Sequence, residues 1–125
     1  MKYQITREQT AEYQKNGYIV IEDFLNAKEL EHWRTVTEDA VKQRLTERNG
    51  LTNQDSPGYY SQVFIQAVRL ADTHVGMARL MFDERLGYAA GTLAGVNGIR
   101  IWHDQALFKQ PYGNPTAWHL DDPNW

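Results

Sequence analysis

Apolar positions recur along this chain with two periods, and the change from one to the other divides it. Thr6 stands three residues before Gln9, a pair that reads as a capping box, and Gly17 offers a left-handed stop, so a first helix is predicted over residues 7–15. Residues 18–22, Tyr-Ile-Val-Ile-Glu, are aromatic and β-branched and read as a short strand. Asn26 and Glu29 form a second capping box. Behind it Leu30, Trp33, Val36 or Thr37, Ala40 or Val41, and Leu45 recur at helical spacing, and Asn49-Gly50 closes that long helix.

Residues 51–60, LTNQDSPGYY, are polar and turn-rich and are expected to form a surface loop bordering a pocket. Residues 63–71 and 74–88 are apolar with helical spacing and predict short helices, although Gly76 and Gly87 weaken the pattern. Gly91 and Gly95 mark a helix end and a turn. From residue 98 to 109 the period becomes two: Ile99, Ile101, His103, Gln105 and Leu107 share one parity, and Arg100, Trp102, Asp104, Ala106 and Phe108 the other. That predicts a strand, followed by a Pro/Gly turn over residues 110–115 and a closing strand that starts at Thr116.

The fold class is therefore α+β, with a helical region over about residues 1–96 and strands over about 97–125 of one domain. Two strands whose faces are half covered and whose edge is open read as the N-terminal part of something longer. The 125 residues accommodate one domain with a real core.

Thirteen Lys and Arg against 16 Asp and Glu give a net charge of −3, scattered along the chain, which sets nucleic acid aside as a partner. No run of about 18 apolar residues offers a membrane span, and residues 1–10 lack the apolar core of a signal peptide. The absence of cysteine excludes disulfides, thiolate metal sites and a cysteine nucleophile, and fits a cytoplasmic, soluble protein. Nothing in the pattern assigns an oligomeric state.

The candidate chemistry sits at residues 115–125, PTAWHLDDPNW. On a strand, His119 and Asp121 project from the same face while Trp118 and Leu120 project from the other, so an imidazole and a carboxylate stand side by side. That pair suits Fe(II). Asp122 falls on the opposite face before Pro123 and reads as a solvated acid or turn former. A mononuclear site needs a further histidine, and His32, His74 and His103 all sit where helix-packing, surface or core roles fit better. A metal phosphohydrolase built on His103-Asp104 would need more His and Asp partners than the chain supplies.

Three stretches together carry a family resemblance: GYIVIEDFL at 17–25 leading into an acidic helix with Trp33-Arg34, then ALFKQP at 106–111, then TAWHLDDPNW at 116–125. The chain resembles the phytanoyl-CoA dioxygenase family of Fe(II)- and 2-oxoglutarate-dependent oxygenases. The resemblance implies a double-stranded β-helix (jelly-roll) core with helices packed on one side. It also implies that His119 and Asp121 are the first two iron ligands, with Fe(II) and 2-oxoglutarate as metal and cosubstrate and O2 and a small molecule as reactants. Gln105 resembles a position that touches 2-oxoglutarate, its alternative being a satisfied polar residue on a half-buried strand. Lys109 would hold the acidic cosubstrate or be solvated, and Trp125 would wall the pocket, while Trp118, facing away from His119, is expected to pack in the core.

The family's third ligand, a second histidine, and its 2-oxoglutarate arginine lie downstream of the H-x-D segment. The resemblance therefore covers the first half of a family domain, and the catalytic centre is expected to be incomplete within residues 1–125. Retention of the carboxylate at Asp121 implies hydroxylation of an unactivated C–H bond rather than halogenation, with substrate choice set by loops such as 51–60. The alternatives are a non-catalytic fragment and a metal-free jelly-roll binding domain in which His119 and Asp121 bond to each other.

Overall fold

The computed structural model describes residues 1–55, 58–109 and 111–120, apart from the side chain of Tyr60. Its elements run in the order α1 (Arg7–Asn16), α2 (Ala27–Glu47), β1 (Ile65–Val68), α3 (Val75–Met81), α4 (Glu84–Ala94) and β2 (Gln105–Phe108), with 3₁₀ turns at Tyr60–Gln62 and Leu70–Asp72. Both capping boxes form. The Gln9 amide donates to Thr6 Oγ1 at 3.2 Å and the Thr6 amide to Gln9 Oε1 at 2.9 Å, while Glu29 and Asn26 exchange the same pair of bonds at 2.9 and 3.1 Å. Gly17 and Gly95 end α1 and α4 in the left-handed conformation, with φ of 78° and 69°.

The sheet is a two-stranded antiparallel ladder in which Ile65 pairs with Phe108, Gln66 with Leu107, Ala67 with Ala106 and Val68 with Gln105. Opposed residues share a face, so Ile65, Ala67, Ala106 and Phe108 look inward and Gln66, Val68, Gln105 and Leu107 look outward. The inner face meets α2 and α3 in one core: Ala40 and Val41 from α2, Ala67, Leu70, Met77 and Ala106, flanked by Val36, Leu45 and Phe108. The outer face is open, with Leu107 52 % exposed.

Several segments differ from their periodicity. Residues 63–71, expected as helix, form β1 and a 3₁₀ turn, so the region before residue 97 is not wholly helical. The reason is non-local: β1 is held on one edge by β2 and on the other by the loop, where the Val68 amide donates to Leu51 O at 3.0 Å and the Asn53 amide to Gln66 O at 3.2 Å. The expected strand at 98–109 is regular only over Gln105–Phe108, and residues 116–120 carry no strand. Residues 18–22 have no ladder partner among the described residues, and Tyr18 and Val20 are exposed. The full jelly roll is not seen; the described residues show helices and one ladder.

Packing explains two features that sequence spacing left as blemishes. A Cβ on Gly76 would come within 2.7 Å of Val36 Cγ1, so glycine at this position is what lets α3 approach α2. His74, expected within a helix, instead caps α3, its Nδ1 accepting from the Met77 amide at 3.2 Å.

Charges pin the periphery. The Met1 ammonium donates to both oxygens of Glu29 at 2.6 and 2.7 Å, and Arg85 reaches Glu29 at 3.4 Å while donating from Nε to Asp83 Oδ1 at 2.8 Å. Hydrogen bonds from the ammonium and the Asn26 backbone hold Glu29 below its ordinary pKa, and the Arg85 guanidinium holds Asp83 below its own; Arg85 is raised in turn by Asp83.

Candidate functional site

β2 sets out the first candidate side chains. Gln105 opens the strand on the outer face, opposite Val68, and its Oε1 accepts from Gln66 Nε2 at 3.0 Å. Lys109 follows the strand end and is exposed. Both therefore lie on the side of the ladder away from the helices or at its rim, exposed to solvent.

Asp104 was read from the sequence only as a neighbour of His103, and it proves to be the best-satisfied acid in the sheet region. It is 8 % exposed, and its Oδ1 and Oδ2 accept from the amides of Leu70 and Ala71 at 2.8 and 2.9 Å. Both oxygens are engaged by the backbone, and His103-Asp104 is not part of a metal-binding group among the described residues. Arg44, also missed, is 1 % exposed within α2 and donates from Nη2 to Arg69 O at 2.6 Å and Thr73 Oγ1 at 2.9 Å. No periodicity marks either residue, because a buried charge is legible only through its partners.

Beyond β2 the chain leaves regular structure. Residues 111–120 are attached to the 51–60 loop by the Tyr59 hydroxyl, which donates to Pro115 O at 3.4 Å, so that loop does border the segment carrying His119. Trp118, expected to pack inward, is 105 % exposed because its segment has no ladder partner among the described residues. His119 Nδ1 lies 2.8 Å from Ala117 O. A carbonyl only accepts, so Nδ1 is the donor in this contact, and in the neutral ring that leaves the lone pair on Nε2. That is the arrangement of a metal-binding imidazole, whose other nitrogen is oriented by a carbonyl or carboxylate. Asp121 and Trp125 lie outside the described residues, and among the described residues no three His, Asp or Glu side chains converge as a metal-binding group.

A cavity of ≈ 560 Å³ opens at the start of β2, between the 3₁₀ turn and the approach to the strand; Val68, Arg69, Phe82, Trp102 and His103 line it. Val68 belongs both to this cavity and to the outer face opposite Gln105.

The phytanoyl-CoA dioxygenase family model matches residues 13–125. The chain belongs to this family. The match takes in both β strands, the Gln105 and Lys109 positions and the whole H-x-D segment. No curated protein and no solved structure matches the chain. Members of the family are in general Fe(II)- and 2-oxoglutarate-dependent oxygenases that use O2 and small-molecule substrates. No helix among the described residues is long and apolar enough to cross a membrane.

Proposed function

We propose that this chain contributes the first metal ligands and part of the cosubstrate site of an Fe(II)- and 2-oxoglutarate-dependent dioxygenase that hydroxylates an unactivated C–H bond of a small molecule. Membership of the family carries the reading, and the proton placement at His119 supports it. His119 would hold the metal through Nε2 and Asp121 through its carboxylate, a donor set that suits a ferrous ion. When bound, the iron and 2-oxoglutarate supply the oxidising equivalents that the side chains lack.

The protein's own residues hold and shield. The Ala117 carbonyl fixes the His119 ring. Gln105 offers an amide and Lys109 a cation to the carboxylates of the cosubstrate, and Trp125 limits water. None of the other histidines falls in a metal-binding group among the described residues: His74 caps α3 through Nδ1, His32 lies against Trp33 with ring centroids 4.5 Å apart, and His103 lies against Trp102 at 6.4 Å. The remaining ligand is therefore assigned to residues other than these.

Anaerobic addition of Fe(II) and 2-oxoglutarate to the full-length protein is expected to give a visible metal-to-ligand charge-transfer band, abolished by His119→Ala and by Asp121→Ala. Residues 1–125 alone are expected to show neither the band nor succinate formation. A full-length protein indifferent to iron would overturn the iron-dependent reading.

A further inference from the structure

Three consecutive amide donors converge on one residue. The Arg69 amide donates to the Asp104 carbonyl at 2.9 Å, the Leu70 amide to its Oδ1 at 2.8 Å and the Ala71 amide to its Oδ2 at 2.9 Å. These donors open the 3₁₀ turn that follows β1, and Arg69, at φ 57°, makes the corner into it. From the other side Arg44 grips the same corner through Arg69 O and the turn's end through Thr73. Asp104 itself sits immediately before Gln105, so the end of β1 and the start of β2 are bolted together at one buried carboxylate.

The ladder needs such a bolt. It has four pairs, and its fully inward anchors, Ala67 and Ala106, are too small for side-chain volume to enforce alignment. A slip of one residue would turn Gln105 into the core and Ala106 outward, since successive side chains alternate faces. A carboxylate that meets two adjacent amides while its own carbonyl meets a third satisfies all three only in the observed alignment.

We propose that Asp104 is a positioning residue that sets the register of β2 and thereby aims the Gln105 amide at 2-oxoglutarate. This rests on the reading of Gln105 as a cosubstrate contact, and the test separates the two. Asn in place of Asp104 keeps one acceptor oxygen and turns an NH2 donor toward the second amide, so one bond is replaced by a donor–donor conflict.

Register is read without activity by a cross-link in the full-length protein. The Arg69–Asp104 bond makes that pair a hydrogen-bonded one, so by alternation Gln66 and Leu107 form a non-hydrogen-bonded pair with close side chains. Residues 1–125 contain no native cysteine, and with any outside them replaced by serine the Gln66→Cys/Leu107→Cys protein is expected to oxidise to one internal disulfide. Asp104→Asn is expected to abolish that cross-link.

The second arm is a cycle on the KM for 2-oxoglutarate. Asp104→Asn is expected to raise it about tenfold when Gln105 is present and not at all in Gln105→Ala, the size of one lost hydrogen bond to a charged group. Retention of the cross-link, or KM effects that add, overturns the proposal while leaving Gln105 a contact. An unchanged KM in Gln105→Ala alone removes the contact and the aiming role with it. Should the Asn protein not fold, Asp104→Glu, which keeps the charge and displaces the oxygens by one methylene, takes its place in both arms.

Discussion

The region around α2, β1 and the Leu70–Asp72 turn and the region after β2 are built in opposite ways. In the first, buried groups are crosslinked by partners far apart in sequence: Arg44 to Arg69 and Thr73, Asp104 to Leu70 and Ala71. In the second, Tyr112 and Trp118 are 106 % and 105 % exposed, and Tyr59 supplies a cross-connection from the loop. The first region can be rigid because its entropy cost is offset by burial and by satisfied polar groups. The residue proposed to hold the metal, His119, lies in the second, and the first acts as the frame from which Gln105 and the following segment project.

Substitutions sharpen this contrast. The largest effect is expected at Arg44, where Arg44→Ala removes two buried hydrogen bonds and opens a void, costing about 3 kcal/mol in denaturant unfolding. Arg44→Met, which refills the volume, should cost visibly less, because Nε of Arg44 lacks a hydrogen-bond partner among the described residues and Nη1 meets only the partly exposed Glu47 carboxylate, as an ion pair at 3.1 Å. An equal loss in both variants would locate the stabilisation in the hydrogen bonds rather than in packing.

Glycines give the next step down. Gly76→Ala places a methyl against Val36 and is expected to destabilise by about 1–3 kcal/mol. Gly87→Ala, with nothing within 4 Å of the new Cβ, should gain up to about 1 kcal/mol from helix propensity. A Gly76→Ala protein as stable as the parent would contradict the close approach of α3 to α2.

Acid acts on the periphery. Glu29 and Asp83 are lowered in the folded chain, so the folded state holds their protons less tightly than the unfolded one. Their contribution is present above the ordinary carboxylate pKa of about 4 and is lost as pH falls through the lower folded values. A Glu29→Gln protein should therefore show a flatter decline of stability below about pH 4; an unchanged slope would mean that the Met1 ammonium contact does not operate in solution. The smallest effect belongs to the second region: Trp118→Ala is expected to change stability by less than about 0.5 kcal/mol within residues 1–125, measured by thermal unfolding. A larger loss would show that Trp118 is packed rather than exposed.

Much of the helical part was legible because its signals are local. Thr6 with Gln9, Asn26 with Glu29, and the left-handed Gly17 and Gly95 each act within one turn of chain, and each holds in the structure. Residues 63–71 were misread because Val63, Ala67, Leu70 and Ala71 recur at helical spacing while Val63, Ile65 and Ala67 also alternate as in a strand, and the choice between them falls to β2, some forty residues on. Residues 18–22 illustrate the converse: β propensity without a ladder partner leaves irregular chain. At the site, the alternating parity of 98–109 correctly put Gln105 and Leu107 on one face and Ala106 on the other, while overestimating the strand's length. Asp104 and Arg44 were illegible as a pair of clamps, since nothing in either one's neighbourhood names the amides that donate to Asp104 or the oxygens that accept from Arg44.

By itself the sequence determined the two capped helices, the stops at Gly17 and Gly95 (though not at Gly91, which lies inside α4, nor at Gly50, since α2 is capped at Arg48) and the family to which residues 13–125 belong, since each is written in contiguous residues or short spacings. Only the tertiary structure decided that β1 is a strand, that Gly76 is a contact surface, and that a buried carboxylate joins Gln105's strand to the turn beside it. Those depend on groups brought together across loops, and the free energy of burying a charge or aligning a strand is defined only once both partners are in place.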